Sequence, residues 1–431
     1  LSESMGSRAL PADKLSRRIG FAHGAERQLD ALNSNVKAIY IAFAQGLTDG
    51  VKLGCQRVPH EFTMMRIKPT IFTTQDVVSV SRFLSFLMAP NWKIKLARYQ
   101  VLKKDGPLAL SDLEPWYPEW QPVSEPSRAI TGQAIDRLAQ DLDLFEHFSG
   151  YGGGSNAWAV AANRTVSGRP ILANDIHLPP SLPSFWYLAH IMTPKWAVAG
   201  ATPVGAPLFT AGHNGHSAWG VTLGLADNTD LFIEEIGHDG KTVREGDLFV
   251  PCDVRREVIH VKGCDDVVQD VITTPRGPII SPSFEDEVEA VSIKATWLDP
   301  HPTMGLLRAH RTRSFEDFRH MFEIWPTASL NMIYADINGT IGWQLVGQVP
   351  RRRRGYGTIP QPGTEMGKAW EDELVPFEEM PYVVNPSSGI VASANNRPKL
   401  DDSNPYLGID WLDGYRFARI LEVLEARTDW N

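Results

Sequence analysis

The stretch YGGGSNAWAVAANRT, Tyr151 to Thr165, decides how the rest of the chain is read. Three glycines run directly into a serine, and the serine opens an alternating, Trp-bearing segment of strand character. A serine serving only as a turn residue would not need this combination. Before the glycines the patterns are mainly helical. Gln75 to Met88 places Val77, Val80, Leu84, Leu87 and Met88 on one face, and Thr73 with Asp76 supplies a capping-box start. One or two more helices are expected over Ser16 to Gln45, and another near Ile130 to Phe148. From Ser155 onward, NAWAVAANR, ILANDIH, FWYLAHI, KWAVAGAT, SAWGVTL and DLFIEEI read as short strands separated by turn residues. Asn338-Gly339 is the strongest hairpin signal in the chain. Tyr415 to Ala426 returns to helix, with Phe417, Ile420, Leu421 and Leu424 on one stripe. The boundary therefore falls at the glycines: residues 1–154 form a helical portion, and residues 155–431 a largely antiparallel β-rich one.

Composition narrows the function classes. The 431 residues are 43% hydrophobic and 22% charged, normal for a globular protein of enzyme size. A net charge of −9 argues against nucleic acid, which calls for a basic face. The one basic run, Arg351 to Arg354, reads as a solvated loop. The best uncharged run, WAVAGATPVGAPLFTAGHNG, is broken by glycines and prolines, so no membrane span is expected. Leu1 rather than Met opens the chain, so the natural N-terminus is expected upstream; no signal peptide is recognisable and the compartment stays open. Cys252 and Cys264 flank a Val/Ile-rich segment and either pair across a hairpin or, with Cys55, stay free.

A serine hydroxyl is a poor nucleophile unless a base sits beside it. One solution needs no second side chain. If the chain is cut just before the serine, the new α-amine, with a pKa of roughly 7.7–8.0, can act as the base near neutral pH. It is held beside the hydroxyl because both belong to one residue. The glycines suit the cut, since attack on the preceding carbonyl needs backbone angles that glycine adopts with little strain.

The segments GSNAWAVAANRTVSGRPILANDIH, GHNGHSAWGVTLGLADNTDLFIEE, VNPSSGIVASANNRP and WLDGYRFARILEVL occur in this order. Together they resemble the penicillin acylase family of N-terminal-nucleophile hydrolases, a family of penicillin G acylases, aculeacin acylases and acyl-homoserine lactone acylases. The resemblance runs from about Asp13 to Asn431. It implies an α+β fold, a four-layer αββα sandwich of antiparallel sheets. It also implies self-cleavage between Gly154 and Ser155, with the resulting α and β chains staying associated. Ser155 becomes the nucleophile. His177, in NDIHL, matches a position that orients the amine or the substrate. The backbone N–H of Leu223 and the side-chain amide of Asn395 match two oxyanion donors. Arg416 matches an arginine that holds the polar network around the amine and the asparagine. The implied substrate is a small-molecule N-acyl amide, and the chemistry calls for no cofactor.

Other implications are less complete. Asp227, Thr229 and Asp230 match a structural calcium site, but Thr73 and Tyr406 stand where two further acidic ligands would be, which leaves calcium open. His213 and His216 span an Asn-Gly turn, not a helix face, so no zinc pair is read there. The positions matching the acyl pocket are Ile67, Leu178, Val221 and Leu225, an aliphatic set that suits a fatty or small aliphatic acyl group as well as a phenylacetyl one. Family precursors extend beyond both Leu1 and Asn431, so both ends are expected to be incomplete. Relatives are mostly exported, implying a periplasmic or secreted protein. The leading expectation is an amidohydrolase of the penicillin acylase type, with an acyl-homoserine lactone or lipopeptide acylase as runner-up. An uncleaved, inactive binding relative and a metal-dependent hydrolase are the alternatives of other classes.

Overall fold

The structure, a computed structural model, describes residues 1–113, 154–281, 290–353, 357–364, 369–398 and 405–431. The helical pattern at Ile130 to Phe148 lies outside the described residues. Every described element before residue 114 is helical. The region around Ser16 to Gln45 is three helices, not one or two: α1 (Leu10–Ile19), α2 (Phe21–Ala31) and α3 (Ser34–Gly54). Gly20, at φ 78°, ends α1 in the left-handed conformation that costs glycine least. Asn33 starts α3, its Oδ1 accepting from the Val36 N–H at 3.0 Å.

Helix α4 (Thr74–Leu87) carries the expected capping box. The Thr73 N–H donates to Asp76 Oδ2 at 2.7 Å, and the Asp76 N–H donates to Thr73 Oγ1 at 3.2 Å. Helix α5 (Asn91–Leu113) is broken at Gly106, which has φ 83° and precedes Pro107. Leu15 of α1, Phe21 of α2, Phe86 of α4 and Trp92 of α5 share one apolar cluster with Leu231, Val291 and Ile293. Those three belong to β7 (Thr229–Glu234) and β8 (Ala290–Ala295), which pair antiparallel. The helical portion is thus docked directly on the β-rich portion.

The strands begin with β1 (Ser155–Val160), β2 (Ile171–Ile176), β3 (Trp186–Met192), β4 (Ala197–Pro203), β5 (Ala211–His213) and β6 (Ser217–Leu223). The hairpin β9 (Leu330–Asp336) and β10 (Ile341–Val346) turns at Asn338-Gly339 as read, with Gly339 at φ 94°. After it come β11 (Pro350–Arg352), β12 (Gln361–Pro362), β13 (Trp370–Leu374), β14 (Tyr382–Val384) and β15 (Ile390–Ser393).

Two antiparallel sheets form the centre. One has the order β2-β1-β15; the other has seven strands, β14-β10-β9-β6-β5-β4-β3. Ala157, Ala159 and Val391 of the small sheet pack on Ile333, Ala335 and Ile341 of the large one. The alternation in β1 then turns Trp158 outward, against Ile420, Leu421 and Leu424 of α7 (Tyr415–Glu425). Beyond the large sheet, Phe315 and Phe318 of α6 (Phe315–His320), with Phe322 and Trp325, cover Trp219, Met332 and Tyr334. Helix, sheet, sheet, helix: this is the four-layer αββα order expected from the resemblance.

A second reading is corrected. The Arg351 to Arg354 run is not a solvated loop: its first residues lie in β11, and the Arg352 side chain is only 2% exposed. Two buried carboxylates, Asp227 and Asp230, face it, and a buried carboxylate demands a cation. Arg351 pairs with Glu379 at 2.6 Å, and Arg354 lies outside the described residues. All three cysteines are free; Cys264 is exposed, and Cys55 and Cys252 are half-buried.

Candidate active site

Four element ends converge on Ser155. The serine opens β1 and pairs with Ile176 of β2. Directly past β2, the His177 N–H donates to the Gly154 carbonyl at 3.0 Å, extending the ladder to the residue before the serine. Past β15, Asn395 sits at φ 63°, a left-handed conformation asparagine tolerates better than most residues. Its Oδ1 accepts from the Ser155 N–H at 2.7 Å, and its Nδ2 donates to the Leu223 carbonyl at 2.9 Å, at the end of β6.

Arg416, in the first turn of α7, closes the ring. Nη1 donates to the Ser155 carbonyl at 2.9 Å and to Asn156 Oδ1 at 2.8 Å; Nη2 donates to the Ala394 carbonyl at 2.7 Å and to Asn395 Oδ1 at 3.0 Å. These donors settle which end of the Asn395 amide faces the serine, because only the oxygen can accept from both Arg416 and the Ser155 N–H. The guanidinium lies so close to the backbone that a Cβ on Gly154 would sit 2.6 Å from Nη2. Ser155 Oγ donates to the Gly154 carbonyl at 2.7 Å.

Ser155 is buried, yet it borders a cavity of about 230 Å³. One water needs only ~10–15 Å³ by this measure, so the cavity admits a group of many atoms. Its walls are largely apolar: Leu84, Leu87 and Met88 of α4, Ile176, Phe185 and Val221. Trp186, Thr210, Thr222 and Leu330 also reach it.

Against this geometry the comparisons are informative. The penicillin amidase family model matches residues 1–431. The chain belongs to the penicillin amidase family. Penicillin acylase 2 proenzyme of Pseudomonas sp. (strain SE83) is 31% identical over 99% of this chain and 56% of that protein. Acyl-homoserine lactone acylase QuiP of Pseudomonas syringae pv. tomato is 29% identical over 99% of this chain and 53% of that protein. The chain thus spans about half the length of the curated relatives it matches. Among solved structures, the thermostable penicillin G acylase from Alcaligenes faecalis aligns with TM-score 0.57 at 24% identity, over 64% of this chain and 50% of that one. That likeness bears on the fold alone.

Within this penicillin amidase framework the sequence-read positions separate. Ser155, Leu223, Asn395 and Arg416 come together as one hydrogen-bonded group. The His177 side chain turns aside: its Nε2 meets Asp175 Oδ2 at 2.7 Å and Asn156 Nδ2 at 3.3 Å. The His177 side chain thus meets the serine segment at Asn156, while its backbone N–H reaches Gly154. Leu178 and Val221 line the cavity. Leu225 packs elsewhere, with Ala226, Leu345 and Leu407, and Ile67 follows a short helix without bordering the cavity. Asp227, Thr229 and Asp230 are fully enclosed and contact Lys95 and Arg352. Burial works against the Asp230 charge, but Arg352 and Lys95 outweigh it and hold this carboxyl well below the usual range.

Sequence reading missed Asn174. Its Nδ2 donates to the Asn156 and Val221 carbonyls, both at 2.9 Å, and its Oδ1 accepts from the Val221 N–H at 3.0 Å. It thereby ties the small sheet to the large one beside the serine. The signal in sequence was faint: a polar residue in ILANDIH, opposite Gly220, which leaves room for it.

Proposed function

We propose that this chain is the catalytic part of an amidohydrolase whose nucleophile is Ser155, made N-terminal by cleavage of its own Gly154–Ser155 bond. In the cut, Ser155 Oγ adds to the Gly154 carbonyl carbon, the C–N bond breaks as the nitrogen takes a proton, and water hydrolyses the resulting ester. The His177 N–H, 3.0 Å from the Gly154 oxygen, supports this reading because it is placed to stabilise the oxyanion of that step. The freed amine keeps Asn395 Oδ1 as its acceptor, which leaves its lone pair for the hydroxyl proton. Arg416 sits beside it, and a neighbouring positive charge disfavours the ammonium form.

With substrate, Oγ attacks the amide carbonyl and the oxyanion rests on the Leu223 N–H and the Asn395 amide, donors of a kind that contribute ~2.7–4 kcal/mol each. The amine then leaves and water releases the acid. The observation that carries this reading is the shared hydrogen-bond ring of Ser155, Asn395 and Arg416 at the mouth of an apolar cavity. That cavity suits an apolar acyl group, and its mixture of leucines with Phe185 suits an aliphatic chain or an aryl-acetyl group. The names of the two relatives above favour a penicillin or an N-acyl-homoserine lactone as substrate. A periplasmic or extracellular location belongs to the same proposal.

Mass spectrometry under denaturing conditions tests it. Two chains parting at Gly154/Ser155 are expected, and Ser155→Ala should stay a single chain without activity. An intact wild-type chain that still hydrolyses acyl-p-nitroanilides would sink the mechanism, whereas an intact, inactive one would favour a binding protein.

A further inference from the structure

A separate concentration of buried charge lies away from the serine, where α5 meets β7. Lys95 is completely buried, on the apolar stripe of α5 that carries Trp92, Leu96 and Tyr99. Its ammonium donates to Asp227 Oδ1 at 2.8 Å, to Asp230 Oδ1 at 2.7 Å and to the Thr229 carbonyl. Asp227 Oδ2 also lies 2.8 Å away, so three protons are shared among four oxygens and the ammonium is fully used. Arg352 approaches from β11. Its Nε donates to Asp230 Oδ2 at 2.9 Å, and its Nη2 donates to the Asp227 carbonyl at 3.1 Å and lies 3.2 Å from Asp227 Oδ2. The Trp370 Nε1–H adds a bond to Asp230 Oδ2 at 2.7 Å. The Tyr406 ring centre lies 5.7 Å from the guanidinium carbon, a cation–π contact at a position where the family resemblance called for a carboxylate. Thr73, the other such position, is occupied in capping α4.

Two cations therefore meet two carboxylates, and the enclosed cluster is neutral. The three residues the resemblance offers to calcium are the three that Lys95 holds. They do not fit the metal. Calcium seeks six to eight oxygens at about 2.3–2.6 Å, and here the ammonium occupies the centre of the oxygen set. Adding a divalent ion would also put two uncompensated charges into a buried neutral cluster, a heavy desolvation cost. We infer that the Lys95 ammonium is the resident cation of this site: the helical portion supplies from its own sequence the charge a metal would bring, and the protein needs no calcium there. A side chain cannot be stripped by a chelator, so the clasp between the two portions is permanent.

The test uses the whole chain. Melting temperature is measured in chelator and in excess calcium chloride, for the wild type, for Lys95→Met and for Lys95→Ala. The wild type is expected to melt at the same temperature in both, and calorimetric titration with calcium chloride should show no binding. Lys95→Met, which keeps bulk but removes charge, should lose several degrees with or without calcium. Lys95→Ala, which opens the oxygen set, should melt lower still in chelator and regain a few degrees in calcium. A wild-type melting temperature that rises by a few degrees in calcium would overturn the inference, as would Lys95→Met melting like the wild type. If neither variant folds, the wild-type measurement decides alone.

Discussion

Glycine at 154 is a steric requirement imposed by Arg416. A Cβ there would lie 2.6 Å from Nη2, and four hydrogen bonds stop the guanidinium from swinging away. Gly154→Ala should therefore displace Arg416 and slow the cut at least tenfold, seen as uncut chain on a denaturing gel. Arg416→Gln removes the positive charge beside the serine amine. The amine pKa should rise, so the acid limb of the kcat/KM–pH profile should move to higher pH. An unmoved limb would show that Arg416 acts only by position. Truncating Asn395 to Ala removes the acceptor of the Ser155 N–H and a candidate oxyanion donor, with an expected loss of ~10²–10³-fold in kcat. At this scale Ser155, Asn395 and Arg416 were legible because each sits in a local motif. Asn174, Lys95 and Arg352 were not, since their partners lie far along the chain and nothing local marks them. For Lys95 the one clue was a cation three residues after Trp92 and four before Tyr99, on a stripe that should be apolar.

Elements with their own punctuation were easiest to read. The capping box of α4 and the Asn-Gly hairpin of β9 and β10 are closed by neighbours within a few residues, so the sequence contains both partners. Thr73→Ala should cost ~1 kcal/mol, read as a lower urea midpoint at unchanged slope. The pairing of β7 with β8 was not legible, because dozens of residues separate the strands. Nor was the cover over the large sheet, where a 3₁₀ segment, Gly305–Arg311, brings His310 onto Trp196 with ring centres 4.4 Å apart. Arg311 Nε–H donates to His310 Nε2 at 3.2 Å, which requires a neutral ring. Burial, then the charges of Arg311 and Arg308, pushes this imidazole down to about 4. The folded value lies below the unfolded one of ~6.5, so the contribution is complete above that pH and is lost as pH falls toward 4. His310→Phe should flatten the melting temperature across that window; an unchanged slope would remove His310 as the cause.

At the scale of the molecule, the helical portion and the β-rich portion are joined by far more than the peptide bond at Gly154. Asn91 Nδ2 donates to the Leu225 carbonyl at 3.0 Å, Arg18 Nη1 donates to the Ile280 carbonyl at 3.2 Å, and Gln28 exchanges bonds of 2.7 and 3.1 Å with His301. Arg98 and Asp410, both nearly buried, form a two-pronged pair. The shared apolar cluster of Trp92, Phe86, Leu231 and Ile293 runs between these contacts. A backbone cut at 154/155 touches none of them, so the two chains should migrate together through gel filtration and part only in denaturant. Removing one partner of a buried ion pair costs ~3–5 kcal/mol, because the other charge stays behind. Arg98→Ala should accordingly lower the denaturant concentration at which the cut chains separate, while leaving the extent of cutting unchanged. Separation of wild-type chains on a native column would mean that the peptide bond, not this interface, holds the portions together.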